Sequence, residues 1–299
     1  MTAAQTTAAQ TTAAPVAGDR KPRDEEIDVY GITHPGKIRT ENQDHFLICA
    51  LKKQMVVHLT SLPETDNLMA GPERLAFLAM VADGVGGGAK GAEASRIALE
   101  AVTRYVSRSM RCYYAAGSAD DREFYQALRE GALRCHAELV RRGEENPEYR
   151  GMATTLTLYL GVWPRAYLLQ VGDSRCYLLQ RGELTQITRD QTMAQELIDL
   201  GVLTRAAAAV TRFAHTLSSS IGGRQTAPVV TRLDVTWGNV ALLCSDGLTK
   251  HVSDERIRDK LRSMTSARQV CEDLLKEALE DGGSDNITMI VARALQSEN

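Results

Sequence analysis

Three aspartates stand at breaks between apolar runs. Asp83-Gly84 follows residues 75–82, Asp246-Gly247 follows the run 240–244, and Asp285-Asn286 precedes the run 287–291. Apolar runs of this length bounded by turn residues read as buried strands. In an antiparallel sheet the start of one strand lies beside the end of its neighbour, so the three carboxylates can converge on one edge of a core. Converging carboxylates repel one another unless something neutralises them. Hard divalent cations do so, and they prefer oxygen ligands. Any one Asp-Gly pair is an ordinary turn; the argument rests on all three together.

The elements that must position these aspartates follow from periodicity. Residues 27–33 and 44–50 read as strands, "QMVVHLT" as a third, and 61–73, with Pro63, Gly71 and Pro72, as a surface loop. After "GVGGGAKG" the period changes. Ala94, Ile97, Ala98, Ala101, Val102 and Tyr105 recur at helical spacing, with Glu93, Arg96, Glu100 and Arg104 opposite. A second helix over 121–142 turns Phe124, Leu128, Cys135 and Leu139 inward.

From Ala153 the segments "TTLTLYLGVW", "RAYLLQVGD", "SRCYLLQRG" and "ELTQIT" predict a meander of short strands with turns at 161–165, Gly172-Asp173 and Arg181-Gly182. Residues 189–228 are polar, Ala-rich and without a core pattern, which reads as a flap. Ser266 and Gln269 fit a capping box for a helix that ends at Gly282-Gly283, and "DNITMIVARAL" is the last strand. This order is not alternating βαβ. It predicts an α+β fold: an antiparallel β-sandwich flanked by helices on both faces, α-β-β-α.

At 299 residues the chain is long enough for a substantial core, and its formal net charge of −3 gives no support for nucleic-acid binding. No window approaches a membrane span, and the N-terminus lacks the apolar stretch of a secretory signal, so a cytoplasmic location is expected. Residues 1–26, rich in Ala, Thr and Gln and then charged, predict a solvated tail before a domain at 27–299. Cys49, Cys112, Cys135, Cys176, Cys244 and Cys271 form no CxxC pair and read as reduced structural thiols. The six histidines show no zinc spacing. "GVGGG" lacks both the GKS/T ending of a phosphate loop and the GxGxxG spacing of a dinucleotide site.

Six segments occur in one order: "GKIRTENQDHF", "VADGVGGGAKGAEAS", "GMATTLTL", "QVGDSRCYLL", "LCSDGLTKHVSD" and "GGSDNITMIV". Together they resemble the metal-dependent (PPM-type, or type 2C) serine/threonine protein phosphatases, especially compact bacterial members, over about residues 27–294. The resemblance implies a β-sandwich with helices on both sides and two or three divalent cations, Mn²⁺ or Mg²⁺. It implies that Asp83 bridges two ions, the Gly84 carbonyl binds the second, and Asp246 and Asp285 hold the first. Asp44 would order metal-bound waters, Asp173 would share a third ion with Asp246, and Arg39 would grip the substrate phosphate.

That assignment is chemically coherent. Divalent ions lower the pKa of water and screen a dianionic phosphate ester, so no Cys or Ser nucleophile is required. A guanidinium donates two parallel hydrogen bonds to phosphate. The chain departs from the family's pattern at Gln43 (often Glu) and at Val85 (His in animal members). "TRDQT" and "AHTLSSSIGG" depart too, which bears on substrate choice more than on chemistry. The expected activity is hydrolysis of phosphoserine and phosphothreonine in kinase-modified proteins by a monomer. A non-catalytic phosphoprotein-binding module and a small-metabolite phosphatase are the alternatives.

Overall fold

The computed structural model describes residues 20–53, 73–86, 89–115 and 121–296. The strands are β1 (Ile27–His34), β2 (His45–Lys53), β3 (Glu73–Ala82), β4 (Gly84–Val85), β5 (Ala153–Thr154), β6 (Leu156–Val162), β7 (Arg165–Val171), β8 (Arg175–Gln180), β9 (Glu183–Gln186), β10 (Val229–Asp234), β11 (Val240–Cys244) and β12 (Ile287–Ala294). The helices are α1 (Ala89–Ala115), α2 (Asp121–Glu145), α3 (Met193–Asp199), α4 (Arg205–Ala209), α5 (Asp246–Thr249), α6 (Asp254–Arg262) and α7 (Ala267–Glu280). The strand expected at "QMVVHLT" and nearly all of the loop after it lie outside the described residues.

Two antiparallel five-stranded sheets carry the fold, ordered β1-β12-β11-β8-β9 and β10-β7-β6-β3-β2. Strand alternation explains how they stack. In β3, Leu78, Met80 and Ala82 face α1 and α2, while Ala79 and Val81 face the other sheet. In β12, Ile287, Met289 and Val291 face α7, while Ile290 faces inward between the sheets. Both faces of these strands are buried, so the sequence shows continuous apolar runs there instead of alternation. The helices bury the predicted stripes: Ala94, Ile97, Ala98 and Val102 on α1, Phe124, Leu128, Cys135 and Leu139 on α2, and Ala267, Val270, Cys271, Leu274 and Ala278 on α7. The α-β-β-α sandwich is therefore present.

Three expectations need correction. The meander is split: β6 and β7 pair in one sheet, β8 and β9 in the other, and the chain crosses between sheets at Gly172-Asp173-Ser174. Glu26, placed in the solvated tail by the sequence reading, is buried and holds ion pairs to Arg20 and Arg23. A buried carboxylate needs such partners, and they order this segment against the domain. The 189–228 segment is not uniform either. Ile221 is fully buried in the α1/α2 core, bridges Thr154, and is followed by Gly222, whose amide donates to His136 Nδ1 at 3.0 Å. Within α3 and α4, by contrast, Ala194 and Ala208 are the buried ones among the described side chains.

Candidate metal centre

Both sheets deliver carboxylates to the same end of the sandwich. In one, His45 pairs with Ala82, which sets Asp44 beside Asp83. In the other, Cys244 pairs with Met289, which brings Asp246 and Asp285 together. Asp173 sits at the crossing from one sheet to the other. The convergence expected at one sheet edge is thus made by two.

Backbone bonds fix Asp83. Its amide donates to Thr155 Oγ1 at 2.9 Å, and its carbonyl accepts from the Thr155 amide at 2.9 Å and from Thr154 Oγ1 at 2.8 Å. Gly84 follows because α1 passes directly behind it: a Cβ there would collide with the Gly91 carbonyl and stand 2.7 Å from the Gln43 carbonyl. Gly247 is required in the same way, since a Cβ would collide with the Asn286 carbonyl. The Gln43 side chain packs toward α1, its Oε1 2.7 Å from where a Cβ on Gly91 would lie.

The acids differ in their compensation. Burial, then the charges of Asp44, Asp246, Asp173 and Asp285, push the Asp83 carboxyl well above the usual range. Burial pushes Asp44 up to about 6, against a hydrogen bond from Ser245. Burial, then Asp246 and Asp190, push Asp173 up to about 8. Asp285 is opposite: burial would raise it, but Lys250 and Arg39 hold it below the usual value. Its Oδ1 accepts Arg39 Nε at 2.8 Å and its Oδ2 accepts Lys250 Nζ at 2.7 Å. Lys250 Nζ also lies 2.7 Å from Asp246 Oδ2. Burial works against the Lys250 charge, yet Asp246 and Asp285 keep its pKa above that of an ordinary lysine.

These residues fit a hard divalent cation. Asp44 Oδ1 and Asp246 Oδ1 are buried without a hydrogen-bond partner, and oxygen donors of this charge density suit Mn²⁺ or Mg²⁺. Among the described residues, no group of three or more His, Cys, Asp or Glu is placed so as to hold a metal ion. Two of the chain's own cations, Arg39 and Lys250, stand among the carboxylates.

Every predicted site residue lies at this end: Arg39 at its exposed mouth, Asp44, Asp83, Gly84, Asp173, Asp246 and Asp285 within. Sequence reasoning gave no role to Ser245, Lys250 or Asn286, although all three lie inside the quoted motifs. Asn286 Oδ1 accepts the Gln43 amide, and its Nδ2 donates to the Pro35 and Glu41 carbonyls, each at 2.9 Å. It staples down the loop that carries Arg39. The thiols are inert: Cys49, Cys135, Cys176, Cys244 and Cys271 are free, and burial pushes Cys244 up to about 12. Cys112 has no described side chain.

The chain is 35% identical over 227 residues to the serine/threonine protein phosphatase PstP of Mycobacterium tuberculosis; the match covers 76% of this chain and 41% of that longer protein. It is 30% identical over 215 residues to the serine/threonine phosphatase stp of Listeria welshimeri, covering 72% of this chain and 83% of that one. The fold superposes on the catalytic domain of PstP in complex with two manganese ions at a TM-score of 0.67 and 30% identity, covering 90% and 99% of the two chains. Residues 60–284 match the family described as protein phosphatase 2C. With three quarters of its length matched in this way, and the sandwich and its acidic end in hand, the chain belongs to the protein phosphatase 2C family.

Proposed function

We propose that this chain hydrolyses phosphoserine and phosphothreonine in proteins, using water as nucleophile and forming no covalent phosphoenzyme. The observation that carries this reading is the gathering of Asp44, Asp83, Asp173, Asp246 and Asp285 at one end, with buried oxygens left unpartnered. Asp83, the Gly84 carbonyl, Asp246, Asp285 and Asp173 would hold two or three Mn²⁺ or Mg²⁺ ions, with Asp44 ordering water beside them. Bound there, such ions supply Lewis acidity and a lowered water pKa.

The chain's own groups do the rest. Arg39 is 56% exposed at the mouth and can turn its guanidinium from Asp285 to an arriving phosphate. Ser245 is fully buried and its hydroxyl is committed to Asp44, so it is no nucleophile. Val85 brings no proton to the leaving group. The relatives' names support a protein substrate, and products of a serine/threonine kinase are the natural class. No described helix is long and apolar enough to cross a membrane; we assign the chain to the cytoplasm as a monomer.

The test is hydrolysis of p-nitrophenyl phosphate, a phosphothreonine peptide and small phosphorylated metabolites with Mn²⁺, before and after EDTA. Metal-dependent turnover favouring the peptide over the metabolites is expected. Metal-independent turnover rejects the reading, and tight peptide binding without turnover replaces it with a binding module.

A further inference from the structure

Lys250 is set into the acidic cluster by the fold. Asp246 and Lys250 are four residues apart across the single turn of α5, so their side chains leave on one face. The Lys250 amide closes that turn onto the Asp246 carbonyl at 2.9 Å. The β11–β12 pairing then supplies Asp285 from the other side. The ammonium therefore bridges Asp246 Oδ2 and Asp285 Oδ2, 2.7 Å from each. Its side chain is 22% exposed, against 56% for Arg39, so Lys250 is the more enclosed of the two cations, although Arg39 also holds Asp285 through Nε and Nη2. The Lys250 charge also reaches Asp173.

We propose that Lys250 is a built-in cation that occupies the Asp246–Asp285 pair, so that a divalent ion binds there only by displacing its ammonium. This rests on the reading of Asp246 and Asp285 as metal ligands. An ion bound by both carboxylates and an ammonium bridging the same two oxygens would be like charges in near contact, and they repel strongly away from bulk water. The two states are exclusive. Displacement lowers the affinity of the pair for metal, and linkage makes the effect reciprocal: metal loosens Lys250 by the same factor. The chain then responds to free divalent ion at higher concentration than its carboxylates alone would set. Without metal, the lysine relieves repulsion that would otherwise strain the end of the sandwich.

Calorimetric titration of the full chain with Mn²⁺ tests this. Lys250→Met removes the charge and keeps an unbranched stem. It should tighten Mn²⁺ binding by about 10- to 100-fold, the scale on which groups bonded to metal ligands act. The metal-free variant should also melt below the metal-free wild type. Unchanged affinity in Lys250→Met, with binding lost in Asp246→Asn, overturns the proposal and leaves the metal assignment standing. Binding in Asp246→Asn equal to wild type overturns both. A second measurement needs no variant. The ¹⁵N resonance of the Lys250 ammonium in wild type should shift as diamagnetic Mg²⁺ fills the site. If it stays unmoved at saturation, the lysine is not displaced and the proposal fails.

Discussion

The Ser245 hydroxyl donates to Asp44 Oδ2 at 2.7 Å while accepting the Thr288 amide at 3.0 Å. Ser245 follows β11 in one sheet, and Asp44 precedes β2 in the other. One hydroxyl thus joins the sheets at the acidic end and gives the buried Asp44 carboxyl a donor. Ser245→Ala removes the hydroxyl that accepts the buried Thr288 amide and donates to the buried Asp44 carboxyl. Each such loss costs about 1–3 kcal/mol, so the metal-free variant should be destabilised by at least that amount. Urea denaturation in EDTA checks this; a shift under half a kcal/mol would show that the bond contributes little.

Asp83→Asn should lower turnover of p-nitrophenyl phosphate at moderate Mn²⁺ by at least about a hundredfold, the usual scale for losing a charge-stabilising group. The fold should survive, because the backbone of residue 83 is held by Thr154 and Thr155 whatever its side chain. Metal-free stability should hold or rise, since burial and four neighbouring acids disfavour the Asp83 charge. Turnover and thermal melting of the same preparation separate the two effects. A folded variant with near-normal turnover would remove Asp83 from the centre.

The metal-free protein should lose stability as pH rises. Asp44 and Asp173 are pushed up to about 6 and about 8 in the fold, against about 3.9 for an unfolded aspartate. A raised carboxyl means that the native state binds the extra proton, so the contribution is fully present below about pH 4. It is lost as pH climbs through the two folded values. Metal binding must expel those protons, so Mn²⁺ affinity should rise over the same window. Melting in EDTA against pH, with calorimetry in buffers of different ionisation enthalpy, checks both signs. A melting temperature rising from pH 5 to 8 would contradict them.

Arg39→Ala should chiefly raise KM, because the phosphate is anionic before any bond breaks and the contact is made in the ground state. Arg39→Lys should recover part of the effect, lacking the two-pronged donor. Steady-state kinetics with a phosphothreonine peptide decide it. An unchanged KM would mean that the guanidinium serves only Asp285.

The layers of the fold were legible because strands buried on both faces spell continuous apolar runs, and helices buried on one face spell a stripe. The aspartates were legible as turn residues beside those runs. The division of β6–β9 between two sheets was not, since a Gly-Asp turn reads the same whether it closes a hairpin or crosses a sandwich. The need for glycine at 84 was not legible either, because only the fold shows the α1 backbone at Gly91 passing directly behind it. Lys250 and Asn286 were passed over because a lysine or asparagine beside a turn is normally solvated, and only tertiary register sets them against Asp285 and the Pro35–Gln43 loop.

The last prediction concerns the segment from Met193 to Val210. Leu200, Val202 and Val210 are 76%, 63% and 87% exposed there, whereas Ile221 further along is fully buried. A part with few buried apolar contacts belongs to the low-stability end of a domain. Its base is fixed: the Gln191 side chain accepts the Gly172 amide at 2.9 Å beside Asp173, and Asp190 is paired with Arg175. Replacing residues 194–209 by a short Gly/Ser linker, with 190–192 and 218–222 kept, should therefore cost little folding stability. Selection among phosphopeptides should change more than turnover of p-nitrophenyl phosphate, which is too small to reach this segment. Amides of 194–209 should exchange hydrogen well before those of Val240–Cys244 in the centre of the sheet. Equal protection of the two, or collapse of the fold on replacement, would make this segment part of the core and move the search for specificity to the Arg39 loop.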